Sequence, residues 1–170
     1  FIRGNGDGTF RPDEYITQEE AVTILVSLLG YEEHAKKNGS YPTGYAFMAK
    51  QLGIIDKTTE ITNDFSTYNE IFPMLLKTMR LPLCQQSETL WEKKGYLKAE
   101  GMVQKLESST YEWGDTLVFL PNKMKEPISL IVSSTYSDYV KLFEGKQVVV
   151  FYSKTKEGEK FLIDMALVNK

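Results

Sequence analysis

The apolar residues of this 170-residue chain change their spacing near residue 84. Before that point they recur at helical intervals, as in "AVTILVSLLG" (21–30) and "FSTYNEIFPMLLKTM" (65–79). After it they alternate or cluster in short β-rich runs such as "DTLVFLP" and "QVVVFYSK". A period near 3.6 and a period of 2 bury different faces, so no single type of element serves both. The change predicts an α+β chain: a helical region over 1–83, a polar connector over 84–96 ("CQQSETLWEKKGY") and a β-domain over 97–170.

Punctuation marks place the helices. Thr17 precedes Gln18-Glu19-Glu20, and Thr at the N-cap with Glu three residues later is a capping box. Ile16, before the cap, is placed to staple onto Ala21, and Gly30 is a natural terminator. A helix is expected over 18–29. A second follows Pro42-Thr43 through "GYAFMAKQL" and stops at Gly53. Thr67 and Glu70 repeat the cap relation fifty residues on, and Pro73 falls early enough to be tolerated in about the first turn of that helix. The fifty-residue echo is an internal repeat of the length at which repeat architectures occur. Its copies are unequal, because "FIRGNGDGTFRPDEYIT" becomes the shorter, glycine-free "IIDKTTEITNDFST".

Five strands are expected in the second part: "YLKAEGMVQKLE", "DTLVFLP", "EPISLIVSS", "QVVVFYSK" and "KFLIDMALV". "YSDYVKLF" reads as a short helix with Ser137 as its cap, and "KTKEG" (154–158) as a hairpin turn. A helical turn between the third and fourth of five strands suggests a small OB-like barrel, with an SH3-like barrel or an open sheet as alternatives.

Composition excludes several classes of function. A net charge of −3 gives no basic field for nucleic acid and no cationic face for an anionic membrane. No apolar run approaches the ~20 residues that span a bilayer. Cys84 is the one cysteine and His34 the one histidine, so an intrachain disulfide is impossible and a structural zinc site is not expected. No cofactor is implied. The chain begins at Phe1 with no signal sequence, and is read as a piece of a longer protein whose targeting signal lies upstream.

The stretch "GNGDGTFRPDEYITQEE" (4–20) calls for a chemical reading. As an EF-hand loop begun at Asn5 it puts Phe10 where Gly is required and Ile16 where Glu is required; begun at Asp7 it puts Pro12 and Gln18 there. Neither register makes a calcium site. Without a preceding strand, a final x-x-G or a Gly-Lys-Ser/Thr, it is not a phosphate cradle. As structure alone it is a chain of tight turns, anchored by Phe10 and stiffened by Pro12.

The same residues resemble the second half of an S-layer homology (SLH) motif. That family runs roughly Gly-x-x-Asp-Gly-x-Phe-x-Pro-x-x-x-Ile-Thr-Arg-x-Glu and then an apolar helix. Gly4, Asp7, Gly8, Phe10, Pro12, Ile16, Thr17 and Glu20 fall in place. "YPTGYAFMAKQLGII" resembles the first helix of a following repeat and "STYNEIFPMLLKTM" its second, so residues 1–83 make one half repeat plus one degenerate repeat. The β-part resembles, by arrangement only, small β-domains that follow SLH repeats in surface proteins of Gram-positive bacteria. The resemblance implies an extracellular, cell-wall-bound protein that binds secondary cell wall polysaccharide without catalysis, or that assembles with another surface-layer protein. It implies a carbohydrate site at Asp7, Gly8, Arg11 and Gln18, with Phe10, Pro12, Thr17, Glu20, Thr67 and Glu70 as the framework. Backbone amides of a Gly-rich loop approach a sugar closely, and a helix N-terminus favours an anion. The sequence departs from the family at one telling place. The family Arg is Gln18 in the first copy and Tyr68 in the second, and losing a charge-assisted bond there removes roughly 1.5–3 kcal/mol of binding to an anionic glycan. Arg11 is a nearby cation that compensates in part.

Other candidates have plainer readings. The acidic pairs Asp13-Glu14, Glu19-Glu20 and Glu32-Glu33 are adjacent in sequence and do not face one another, so they read as surface or caps. His34 with Cys84 or Ser40 lacks an oxyanion-hole or elbow pattern. Tyr41, Tyr45 and Phe47 read as core, with a sugar platform as the alternative. Trp113, Phe119, Tyr136, Tyr139, Phe151 and Tyr152 enrich the β-part in aromatics, while its lysines are diluted by glutamates. Three functions remain open: surface attachment, a structural spacer or interaction module that has lost its glycan, and an enzyme for which no catalytic constellation is found.

Overall fold

A computed structural model describes residues 13–109 and 114–168. The chain forms two compact units, Phe1–Leu90 and Trp91–Lys170. The division falls inside the stretch read as a connector. Thr89 of that stretch bridges back to Pro82, and the stretch holds a short helix of its own.

The first unit is helical. Helix α1 spans Gln18–Leu28, α2 Glu32–Lys37, α3 Thr43–Leu52 and α4 Tyr68–Arg80; α5, Leu90–Lys93, straddles the division. α1 ends in a Schellman turn: Gly30 takes φ 84°, its N–H donates to Ser27 O at 2.9 Å, and the Tyr31 N–H donates to Val26 O at 3.2 Å. That turn launches α2, which lacks the apolar period that would have announced it. α2 is held instead by charge, with Lys36 pairing with Glu32 at 3.2 Å and Glu33 at 2.8 Å and both acids in its first turn. α2 and α3 approach so closely at Gly44 that a Cβ there would overlap the Ala35 carbonyl. Gly53, at φ 74°, ends α3 as expected. Pro73 lies inside α4 rather than in its first turn. The core gathers Val22, Leu25, Val26 and Leu29 of the α1 segment, Tyr45, Met48 and Ala49 of α3, and Met74 of α4.

The second unit is a closed barrel of strand order β1-β2-β3-β5-β4. Its strands are β1 Leu97–Glu107, β2 Asp115–Pro121, β3 Ile128–Val132, β4 Gln147–Lys154 and β5 Lys160–Leu167. β1 is long enough to serve two neighbours: residues 97–102 pair with β4 and 101–107 with β2. The inward residues Val103, Leu117, Phe119, Leu130, Val132, Val148, Val150 and Met165 are fully buried. Helix α6, Ser134–Lys141, lies between β3 and β4 and adds Val140 to this core. Its N-cap is Ser133, so the expected cap at Ser137 is corrected. Ser137 is buried inside the helix and its hydroxyl donates back to Ser133 O at 3.3 Å. The 154–158 turn closes as a hairpin, with Thr155 N–H donating to Glu159 O at 2.9 Å.

Candidate functional site

The two capping boxes form as a pair. At Thr17 the Glu20 N–H donates to Oγ1 at 3.2 Å and the Thr17 N–H donates to Glu20 Oε2 at 2.9 Å. At Thr67 the Glu70 carboxylate takes both the Thr67 N–H and the Thr67 hydroxyl, each at 2.8 Å. Three residues of the first copy then pair with the second. Thr17 and Phe65 form an antiparallel bridge, with Ser66 N–H donating to Ile16 O at 2.8 Å and Gln18 N–H to Asp64 O at 3.0 Å.

Gln18 sits at the centre of this junction. Its side-chain Nε2 donates to Glu70 Oε1 at 3.0 Å, and its Oε1 accepts the Thr62 N–H at 3.3 Å. Thr62 in turn donates its hydroxyl to Asp64 Oδ2 at 2.7 Å. Both ends of the amide are therefore engaged within the fold. The Glu70 carboxyl is held below its ordinary range, first by the Thr67 N–H, then by the Thr67 hydroxyl, with Gln18 adding to them against desolvation. Where the SLH pattern places a cation, the described residues present Glu19, Glu20 and Glu70 instead.

Exposed aromatic rings border the junction. Tyr15 and Phe65 have ring centroids 5.6 Å apart, and Tyr68 stacks on Phe72 at 5.6 Å. Tyr68, Phe72 and Leu76 are 77, 55 and 44% exposed and follow one another at every fourth position along α4. Tyr41, expected in the core, lies outside it with Phe47; only Tyr45 of that trio is buried. The Tyr41 hydroxyl donates to Glu19 Oε2 at 3.3 Å, and burial, then the Glu19 charge, raises its pKa.

Asp7, Gly8, Phe10, Arg11 and Pro12 lie outside the described residues. Of the remaining expected residues the structure joins Thr17, Gln18, Glu20, Thr67 and Glu70 in one cluster. Thr62, Asp64 and Phe65 belong to it and were missed. The repeat offset equated the two cap segments but carried no sign that they pair with each other.

Elsewhere, Cys84 Sγ comes within 3.9 Å of His34 Nδ1 on an exposed surface. Among the described residues no group of three or more His, Cys, Asp or Glu side chains could hold a metal ion, and no helix is long and apolar enough to cross a membrane. In the barrel Phe119 and Phe151 are core residues, Tyr136 stacks on Tyr139 within α6, Tyr139 meets Phe143 edge-on, and Lys146 lies over the Phe143 ring. Trp113 lies outside the described residues.

Comparison with known proteins gives this arrangement its class. The S-layer homology domain family model matches residues 1–22, the stretch that ends in the first capping box and the start of α1. The chain carries an SLH segment at its start, followed by a five-stranded barrel. A relative, the Middle cell wall protein of Brevibacillus brevis strain 47, is 36% identical over 87 residues. The match covers 51% of this chain and 8% of that much longer protein.

Proposed function

We propose that this chain is a non-catalytic part of a bacterial cell-surface protein, located outside the cell and associated with the cell wall through its SLH-type segment. The carrying observation is the SLH match over residues 1–22, running into a capped helix whose far side is seated in the core. The cell-wall name of the relative supports the same reading. The partner in this reading is secondary cell wall polysaccharide, with Asp7, Gly8 and Arg11 as the residues that the SLH pattern assigns to it. Purified chain is mixed with cell-wall sacculi, intact or stripped of polysaccharide. Retention on intact sacculi and loss on stripped ones is expected; no retention on either removes the attachment reading.

A second reading is favoured by Gln18. Its amide is occupied by Glu70 and Thr62, and carboxylates surround it, which disfavours an anionic ligand at this helix start. In that reading the helical unit is a spacer or docking module for another surface protein, with the exposed Tyr68-Phe72-Leu76 row as its contact. Equal retention of wild type and a Phe72→Ser/Leu76→Ser variant on intact sacculi speaks for the glycan. Loss of retention on S-layer protein only in the variant speaks for docking.

A further inference from the structure

The barrel closes unevenly. β3 is paired with β2 along its whole length, from Asp115 with Val132 to Phe119 with Ile128. On its other side it meets β5 in parallel at one register pair, Ile131 with Phe161. The cause lies in the parallel direction. Opposite Ile128–Leu130 stands the β4–β5 turn, where the chain is committed to its own hairpin through the Lys154–Lys160 pair and the Thr155–Glu159 hydrogen bond. The edge of β3 from Ile128 to Leu130 therefore has no ladder partner among the described residues. A cleft of about 880 Å³ opens there, with Ile128, Ser129 and Ile131 on one wall and Glu159, Lys160 and Phe161 on the other. The volume is that of a ligand site rather than a packing defect.

We infer that this cleft receives an extended peptide segment that adds to the open edge of β3 as a short strand. An unpaired strand edge offers backbone donors and acceptors at the spacing of another strand, and pockets beside it select alternate side chains. Four residues of such a segment span about 13 Å, the run from Pro127 to Leu130. Ile131 and Phe161, register partners on the outer face of the sheet, take the apolar side chains that such a segment presents at alternate positions, while Ile128 shares the inward face of β3 with Leu130 and Val132. At the rim the Lys160 ammonium and the Glu159 carboxylate have no ion-pair or hydrogen-bond partner among the described residues. They suit a peptide with charged residues of both signs between its apolar ones. An oligosaccharide fits less well, because among the described residues Phe161 is the one aromatic ring that lines the cleft.

The test uses the whole chain, labelled with ¹⁵N, and a pool of seven-residue peptides carrying Val, Ile or Phe at alternate positions with Thr, Glu and Lys between. Shifts of amide resonances confined to residues 128–131 and 158–161 are expected. The same peptides N-methylated on the backbone at alternate residues, in both registers, should lose at least tenfold in affinity in one register. Phe161→Ala should weaken binding, and Lys160→Glu, a change at a half-buried position opposite Lys154, should reverse the charge preference of the pool. No shifts at millimolar peptide, shifts mapped to another face, undiminished binding by both N-methylated sets, or shifts in the cleft from glucosamine oligomers but not peptides would each overturn the proposal.

Discussion

Gln18 at the start of α1 donates its side-chain amide to Glu70 at the start of α4, 3.0 Å away, so the two cap segments of the internal repeat are tied to each other. A side chain in this place must donate to a carboxylate and accept from the Thr62 N–H at once. Glutamine does both; arginine only donates. Gln18→Ala is expected to destabilise the helical unit by about 0.5–1.5 kcal/mol, the range for one or two partly solvated hydrogen bonds. Gln18→Arg should keep the tie as an ion pair, and for that reason should gain little binding to anionic glycan. The double change Gln18→Arg with Glu70→Gln frees the guanidinium and should raise retention on intact sacculi above either single variant. Equal retention by all three would show that this position does not face the ligand.

Glu70 also gives the unit a pH signature. Its carboxyl is held below its ordinary value by the Thr67 N–H first and the Thr67 hydroxyl second, so the folded state favours the ionised form. A depressed folded pKa contributes stability that is fully present above the unfolded value of 4.5 and is lost as pH falls through the folded value. Glu33, lowered by its hydrogen bond to Lys36, works in the same direction. In Glu70→Gln the cap acceptor remains but the titration goes. Urea unfolding followed at 222 nm should show wild type more stable than this variant at pH 6, with the gap closing toward pH 3. A gap that stays constant across that range would contradict the assignment.

In the barrel, Trp91 donates its indole N–H to Asp164 Oδ2 at 3.0 Å, and Asp164 is 3% exposed. Trp91 also packs edge-on against Tyr96 and tilts against Phe151, so this tie fixes where the chain enters β1. Asp164→Asn keeps an acceptor for the indole and should cost little. Asp164→Leu strands the N–H and should destabilise the barrel by about 1–3 kcal/mol, with a change in indole emission. Equal stability of the two variants would mean that the indole finds another partner.

Legibility tracked the physical range of each signal. The change of period near residue 84 and the repeated Thr-x-x-Glu are local, and both the helix-then-barrel order and the two caps can be read from them. α2 was missed because its stability comes from Lys36 with Glu32 and Glu33 and from the Schellman turn before it, not from an apolar stripe. Ser is a good N-cap and the sequence offers Ser137 as one, but Ser133, four residues earlier, holds the place. The Gln18–Glu70 tie depends on residues 52 apart that share no pattern, so no window along the chain could reveal it. Barrel closure was legible as strand count, but the single β3–β5 register pair that opens a cleft is a property of the closed sheet alone.

The repeat itself yields the remaining prediction, because its copies bury different rows of side chains. The row one position past Ala21 in α1 carries Val22 and Val26, 1 and 0% exposed; the same row in α4 carries Phe72 and Leu76, 55 and 44% exposed. Equivalent positions with equivalent apolar character thus differ in what covers them: α1 has α3 packed against it, while the Phe72 row is open in this chain. Val22→Ala removes buried methyl groups and should cost about 1.5–3 kcal/mol, transfer and cavity together. Phe72→Ser, although the larger change, should stay within about 0.5 kcal/mol, since it acts on a solvated surface. Urea midpoints of the two variants compare them directly. If Phe72→Ser proves as costly as Val22→Ala, the α4 row is covered in solution, and the search for what covers it begins with a second copy of this chain.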